Sequence, residues 1–199
     1  MHTLAVTDQL TGVANRRPLL TRLTPLVEAP NDRTHAMIII DIDHFKSIND
    51  QFGHPEGDEA LKLVAARLRA EVHEPAFIGR LGGEEFAVVA PDSDAEAGRQ
   101  LAERFRESVM TIDTRRWLAD RRLTVSIGVT VSKPVGDTPS HMLQRADAAL
   151  YEAKRAGRNC VRQQLPAPSA PVRSADTFGE EGLMVATPDE TPEEAPRPD

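Results

Sequence analysis

Gly82-Gly83 separates two short apolar runs, residues 77–81 and 86–89, in this 199-residue chain. A Gly-Gly pair between strand-like runs predicts a hairpin, because glycine supplies the positive φ that tight turns need. Glu84 and Glu85 follow the turn at once. Like charges there repel and a hairpin needs no acids, so a bound cation is the simplest relief. A second run, Met37-Ile38-Ile39-Ile40, is uniformly apolar, as in a central strand buried on both faces, and ends in Asp41-Ile42-Asp43. Strand alternation puts Asp41 and Asp43 on one face with Ile42 opposite. Either acid pair alone reads as a solvated strand end. Two of them, each bounding an apolar strand, predict an all-oxygen site suited to Mg2+, with Mn2+ the alternative ion.

Hydrophobic residues make up 40% of the chain, enough for one core, and the length fits one domain. The net charge of −7 is concentrated at the C-terminus. From Leu165 onward there are eight acids, two bases and seven prolines, leaving 23 acids against 22 bases elsewhere. That near-neutral body lacks the basic face a nucleic-acid polymer requires, but admits a small anion held by a few bases and a metal. Residues 165–199 cannot bury enough surface to offset chain entropy and are expected to be a disordered Pro- and acid-rich tail, with residues 1–164 forming the domain. Cys160 is the lone cysteine, which excludes a disulfide framework and predicts a reducing, cytoplasmic setting. No apolar run approaches the ~20 residues of a membrane span, and the first residues lack signal-peptide character.

Hydrophobic periodicity predicts a helix beginning near Pro18, the strand 35–41, and helices over 45–52 and 55–72. The hairpin follows, then a helix from Asp94 to about Met110, capped by Asp92 or Ser93, with Ala97, Leu101, the Arg104 stem, Phe105 and Val109 as its stripe. A strand over 123–131, a helix over 140–156 ended by Gly157, and a last strand within 159–164 complete the order. The connection 112–121, with the lone Trp117 as a packing residue, has no regular reading. Strands and helices mixed around a hairpin predict an α+β domain: a central, mostly antiparallel sheet with flanking helices.

Several motifs then share one pattern: Asp8-Gln9-Leu10-Thr11-Gly12 through Asn15-Arg16-Arg17, Asp41-Ile42-Asp43-His44-Phe45-Lys46, Asn49-Asp50, Phe52-Gly53-His54, Gly57-Asp58, Gly82-Gly83-Glu84-Glu85-Phe86, Ser126-Ile127-Gly128, and residues 151–159. Together they resemble the GGDEF-domain diguanylate cyclases, in the GGEEF form, over roughly Asp8 to Arg162. Many motifs in order are far more specific than any one. The resemblance implies a fold related to the class III nucleotidyl cyclase catalytic domain. It also implies condensation of two GTP into cyclic di-GMP, with release of two pyrophosphates, by two domains face to face.

On the family pattern, Asp41, the Ile42 carbonyl and Glu84 hold the metal, and Glu85 helps bind it or activates the attacking hydroxyl. Asp43 is either a further ligand or an acid that supports the ligands. Gly82 and Gly83 let nucleotide approach the turn backbone. The segment through His44 and Phe45 offers backbone N–H groups to phosphates, and Lys46, Lys154 and Arg158 are the phosphate-binding cations. Asn49 and Asp58 read guanine. His54 is structural.

Two departures from the family pattern matter. An Arg-x-x-Asp product-binding motif usually precedes the glycine turn, and His73 and Ala76 stand there instead, so no strong product inhibition is expected through that site. Family members usually carry an upstream sensor or dimerisation module, whereas seven residues precede Asp8 here. The expectation is a fragment of a longer signalling protein, or a chain whose partner or tail supplies assembly, with activity that depends on protein concentration. A non-catalytic GTP-binding or interaction module is the alternative reading, and a cyclase making a monomeric cyclic nucleotide is a weaker third.

Overall fold

The computed structural model describes residues 6–29, 33–119 and 121–167. Its elements run β1 (Ala14–Asn15), α1 (Arg16–Glu28), β2 (Ala36–Ile42), α2 (Phe45–Phe52), α3 (His54–Glu71), β3 (Phe77–Gly82), β4 (Glu85–Ala90), α4 (Ala95–Met110), β5 (Val125–Val131), α5 (Pro139–Arg155) and β6 (Val161–Gln163). The six strands form one sheet in the order β1-β3-β4-β2-β5-β6. Pairing is antiparallel for β3–β4, β4–β2 and β2–β5, and parallel only at the two edges. This is the α+β architecture that the element order predicts.

Every residue of β2 is buried, because helices cover both faces of the sheet. Ala36, Ile38, Ile40 and Ile42 face α2, α3 and α4. Met37 and Ile39 face α1 and α5, packing with Leu19, Leu23, Met142, Ala146 and Leu150. Alternation carries this second face on to Asp41 and Asp43, so both acids lie at the α1/α5 side where the apolar layer ends. The polar positions of β5 are buried as well. A Cβ on Gly128 would run into the Ala146 carbonyl and the Leu150 backbone of α5. Glycine there lets α5 seat directly on the sheet.

The structure corrects two local expectations. Neither Asp92 nor Ser93 caps α4: the Asp92 carboxylate pairs with Arg33 and the Ser93 hydroxyl bonds the Pro91 carbonyl, while Asp94 accepts from the Ala97 N–H at 2.8 Å. The buried stripe of α4 is Gly98, Leu101, Ala102, Phe105 and Val109. Ala97 and Arg104 are exposed, since 100° per residue carries them off the core side. The connection 112–121 is anchored by Leu118, fully buried, and by the Thr114 hydroxyl donating to the Arg121 carbonyl at 2.6 Å. Trp117 packs on the core edge, its Nε1–H reaching the Asp113 carbonyl. The expected tail lies outside the described residues from position 168 onward.

Candidate active site

Two strand ends meet at the α1/α5 side of the sheet. Asp41 is opposite Glu85 in the β2–β4 register, and the Ile42 N–H reaches the Glu84 carbonyl at 3.4 Å. Asp41 is 5% exposed, and its Oδ2 lies 2.8 Å from Lys154 Nζ near the end of α5. Burial pushes the Asp41 carboxyl up to about 6; the Lys154 hydrogen bond and charge oppose the rise, and Glu84 and Glu85 add to it. Glu85 is also raised, first by burial, then by Asp147 and Glu84, with Lys154 and Arg16 pulling it back. Asp41, Glu85 and Asp147 thus share the one Lys154 ammonium group, and Glu84 adds negative charge beside the first two. Such a cluster favours binding another cation over ionising unaided.

The glycine turn leaves the regular hairpin through a register shift between Arg80 and Gly82. Gly82 and Gly83 have φ of 152° and 50°, both positive values that favour glycine. A Cβ at either would meet nothing within 4 Å. Conformation and not crowding within the chain therefore requires glycine at both positions, and the surface beside the turn is open. Arg80 holds the turn from behind: Nε and Nη2 donate to the Gly83 carbonyl at 3.0 and 2.7 Å, and Nη1 donates to Asp8 at 3.0 Å. Asp8 in turn accepts from the Thr11 N–H and hydroxyl. The N-terminal Asp-x-Leu-Thr-Gly motif is therefore wired to the acid-bearing turn.

Asp43, also 5% exposed, points to other partners. Its carboxylate accepts from the Ser126 hydroxyl at 2.6 Å, the Thr124 hydroxyl at 2.7 Å and the Asn159 N–H at 3.0 Å. His44 follows in the left-handed region, φ 57°, and starts α2 with no side-chain cap. An uncapped helix start presents backbone donors outward. The Phe45 side chain is core, His44 and Lys46 are exposed, and Asn49 is half-buried. The Asn49 amide oxygen occupies the space where a Cβ on Gly57 would sit, which draws the start of α3 onto α2. Exposed Asp58 is next to that contact. Exposed Arg158 rides a turn in which Gly157, Arg158 and Asn159 all have positive φ.

Asp41, Ile42, Glu84, Glu85 and Lys154 are thus brought together; Asn49 and Asp58 sit at the α2/α3 junction; Arg158 lies beyond α5. Sequence reading missed Arg80, Arg16, Asp147 and Arg121. Asp147 is seven residues before Lys154, two helical turns along the same face of α5, a spacing legible in the sequence. Arg121 donates to the Ser47 hydroxyl at 2.9 Å and the His44 carbonyl at 3.2 Å, a contact across 77 positions that no local pattern signals.

Among the described residues no three His, Cys, Asp or Glu side chains gather as a metal site by themselves. A set of two carboxylates and one main-chain carbonyl is compatible with that finding. Asp41, Glu84 and the Ile42 carbonyl are hard oxygen donors at the end of one buried strand and the turn beside it, so these residues fit a hard divalent cation such as Mg2+.

The family model "Diguanylate cyclase, GGDEF domain" matches residues 5–160. The chain belongs to the GGDEF domain family. Its relatives include the response regulator PleD of Caulobacter vibrioides, 44% identical over 165 residues, covering 79% of this chain and 36% of PleD. The diguanylate cyclase DgcP of Pseudomonas aeruginosa is 42% identical over 161 residues, covering 78% of this chain and 23% of DgcP. This chain therefore spans less than half the length of curated relatives such as these, from 23% to 46%. Among solved structures, the GGDEF domain of DgcB from Caulobacter crescentus in complex with c-di-GMP superposes with a TM-score of 0.75 at 36% identity, covering 82% of this chain and 95% of that domain. Among the described residues of this GGDEF domain, no helix is long and apolar enough to cross a membrane.

Proposed function

We propose that this GGDEF domain is a diguanylate cyclase, joining two GTP into cyclic di-GMP with loss of two pyrophosphates. The observation that carries the reading is the pairing of Lys154 with Asp41 at the end of a buried apolar strand, with Glu85 opposite Asp41 in the sheet and the charges of Glu84 and Glu85 both acting on it. The names of the relatives and the ligand of the DgcB domain support it.

The reaction forms a bond from a 3′-hydroxyl oxygen to the α-phosphorus of a second GTP and breaks the bond to pyrophosphate, in line. Mg2+ held by Asp41, the Ile42 carbonyl and Glu84 would acidify the hydroxyl and neutralise the leaving oxygens. Glu85, its carboxyl pushed up by burial, accepts the hydroxyl proton. Lys154, Arg158 and Lys46 bind phosphate oxygens, and the uncapped start of α2 at His44 and Phe45 adds backbone donors. Asp58 accepts from guanine N1–H and N2–H and Asn49 bonds the same base, a pattern adenine leaves unpaired. Gly82 and Gly83 give the nucleotide room at the turn.

Each domain holds one GTP, so product requires two domains facing each other, in a cytoplasmic setting where GTP is available. The test is incubation with GTP and Mg2+ over a range of protein concentrations, followed by chromatography. Cyclic di-GMP rising more steeply than protein, and absent for Glu84→Gln, is the expected result. GTP binding without turnover at any concentration would leave a binding module instead.

A further inference from the structure

Asp43 is two residues from Asp41 on the same strand face, yet its surroundings are different. Both of its carboxylate oxygens accept from this chain: Ser126 and Thr124 hydroxyls from β5 and its approach, and the Asn159 N–H from beyond α5. Its own N–H donates to the Thr124 carbonyl at 2.9 Å. Three donors on one buried carboxylate leave little lone-pair capacity for an ion.

The Asn159 bond spans 116 positions and lands on an unusual backbone. Gly157, Arg158 and Asn159 have φ of 107°, 66° and 44°. Two successive non-glycine residues in the left-handed region persist only where the surroundings hold them. On one side the run is held by the Arg158 N–H to the Ala153 carbonyl at 3.1 Å, and on the other by the Ile127 N–H to the Cys160 carbonyl at 3.0 Å. The Asp43 carboxylate supplies the hold in between, and that is the point from which the Arg158 side chain leaves the backbone.

We propose that Asp43 is a positioning residue, not a metal ligand: it fixes the strand end bearing Asp41 to the left-handed turn bearing Arg158, setting the distance between the cation site and the phosphate-binding guanidinium. The inference rests on the nucleotide reading above. It predicts that the two acids of Asp41-Ile42-Asp43 fail differently when each is made neutral.

The experiment compares full-length Asp43→Asn and Asp41→Asn by GTP and Mg2+ titrations of cyclase activity, by equilibrium binding of a non-hydrolysable GTP analogue, and by backbone amide exchange. In Asp43→Asn the KM for GTP and the analogue Kd should rise about tenfold or more, while half-saturating Mg2+ stays within about twofold of wild type. Exchange at residues 158–161 should quicken about tenfold or more, with the sheet core unchanged. In Asp41→Asn half-saturating Mg2+ should rise instead and the 158–161 segment should exchange as in wild type. Ser126→Ala and Thr124→Val each remove one donor and should reproduce the Asp43→Asn pattern more weakly; they decide the matter if Asp43→Asn does not fold. An Mg2+ shift in Asp43→Asn matching that of Asp41→Asn would make Asp43 a ligand and overturn the proposal. Faster exchange with unchanged nucleotide affinity would reduce it to a folding role and overturn it equally. Wild-type protein that neither binds the analogue nor turns over GTP would defeat the nucleotide reading itself, and this proposal with it.

Discussion

The Arg80 guanidinium grips the Gly83 carbonyl with two hydrogen bonds, at 3.0 and 2.7 Å, and spends its remaining terminal nitrogen on Asp8. The position of Glu84 and Glu85 thus depends on a side chain four residues earlier and on a motif at the N-terminus. Arg80→Ala should lower cyclic di-GMP formation about 10- to 100-fold, since misplacing a catalytic group by an ångström costs that much. Melting should fall by only a few degrees. Arg80→Lys should recover little, because one ammonium cannot serve both partners. Initial rates and thermal melts on the same preparations check this.

Gly57 and Asn49 share one space. Gly57→Ala puts a methyl where the Asn49 amide oxygen lies, so Asn49 must turn away. The KM for GTP should rise about tenfold, and preference over ATP should fall, as expected when a base-reading group loses its partner. Asn49→Ala should give a similar loss, and the double variant should be no worse than either single one. Competition binding with both nucleotides reads the outcome.

Acid sensitivity should centre on Asp137. Its side chain is fully buried, and although burial opposes its ionisation, hydrogen bonds from Arg145, Lys133 N–H and Thr138 N–H and the Arg145 charge hold its carboxyl below the ordinary value of 3.8. A lowered folded value means the unfolded chain binds the proton more tightly. The stability it contributes is therefore present above pH 3.8 and is lost as pH falls from there through the folded value. Melts between pH 7 and pH 2.5 should show a steep loss at the acid end, and Asp137→Asn should be less stable at pH 7 with a shallower acid limb.

Cyclic di-GMP should inhibit weakly. His73 and Ala76 form an exposed to half-buried turn closed by the Ala76 N–H on the His73 carbonyl at 2.9 Å, without the charged Arg-x-x-Asp pair of the family pattern. Titrating product into the GTP reaction should reveal competition at the substrate site only.

What could be read from sequence followed from periodicity and local chemistry. The apolar run before Asp41 reads as a doubly covered strand and Gly82-Gly83 as a hairpin turn, so the two acid pairs were legible in the sequence as neighbours of strand ends. The C-terminal end of α2 follows from Gly53, which stops it at φ 104°. Contacts between distant segments were not legible. The two-residue β1 has no periodicity to detect, and the partners of Arg80, Arg121 and Asp43 depend on how the sheet closes. The α4 cap was misassigned because Asp92, Ser93 and Asp94 all have suitable side chains, and only the tertiary engagement of the first two leaves Asp94 for the task.

The short Lys154–Asp41 pair has one more consequence. The Asp41 carboxylate has its own counter-ion on a tether, so a divalent ion binding there must displace an ammonium group before it can sit down. Free magnesium alone is thus a poor competitor for that carboxylate. The ejected lysine is left needing a negative partner close by, and a triphosphate arriving with the ion supplies one, so metal and nucleotide should load as a unit and leave as one.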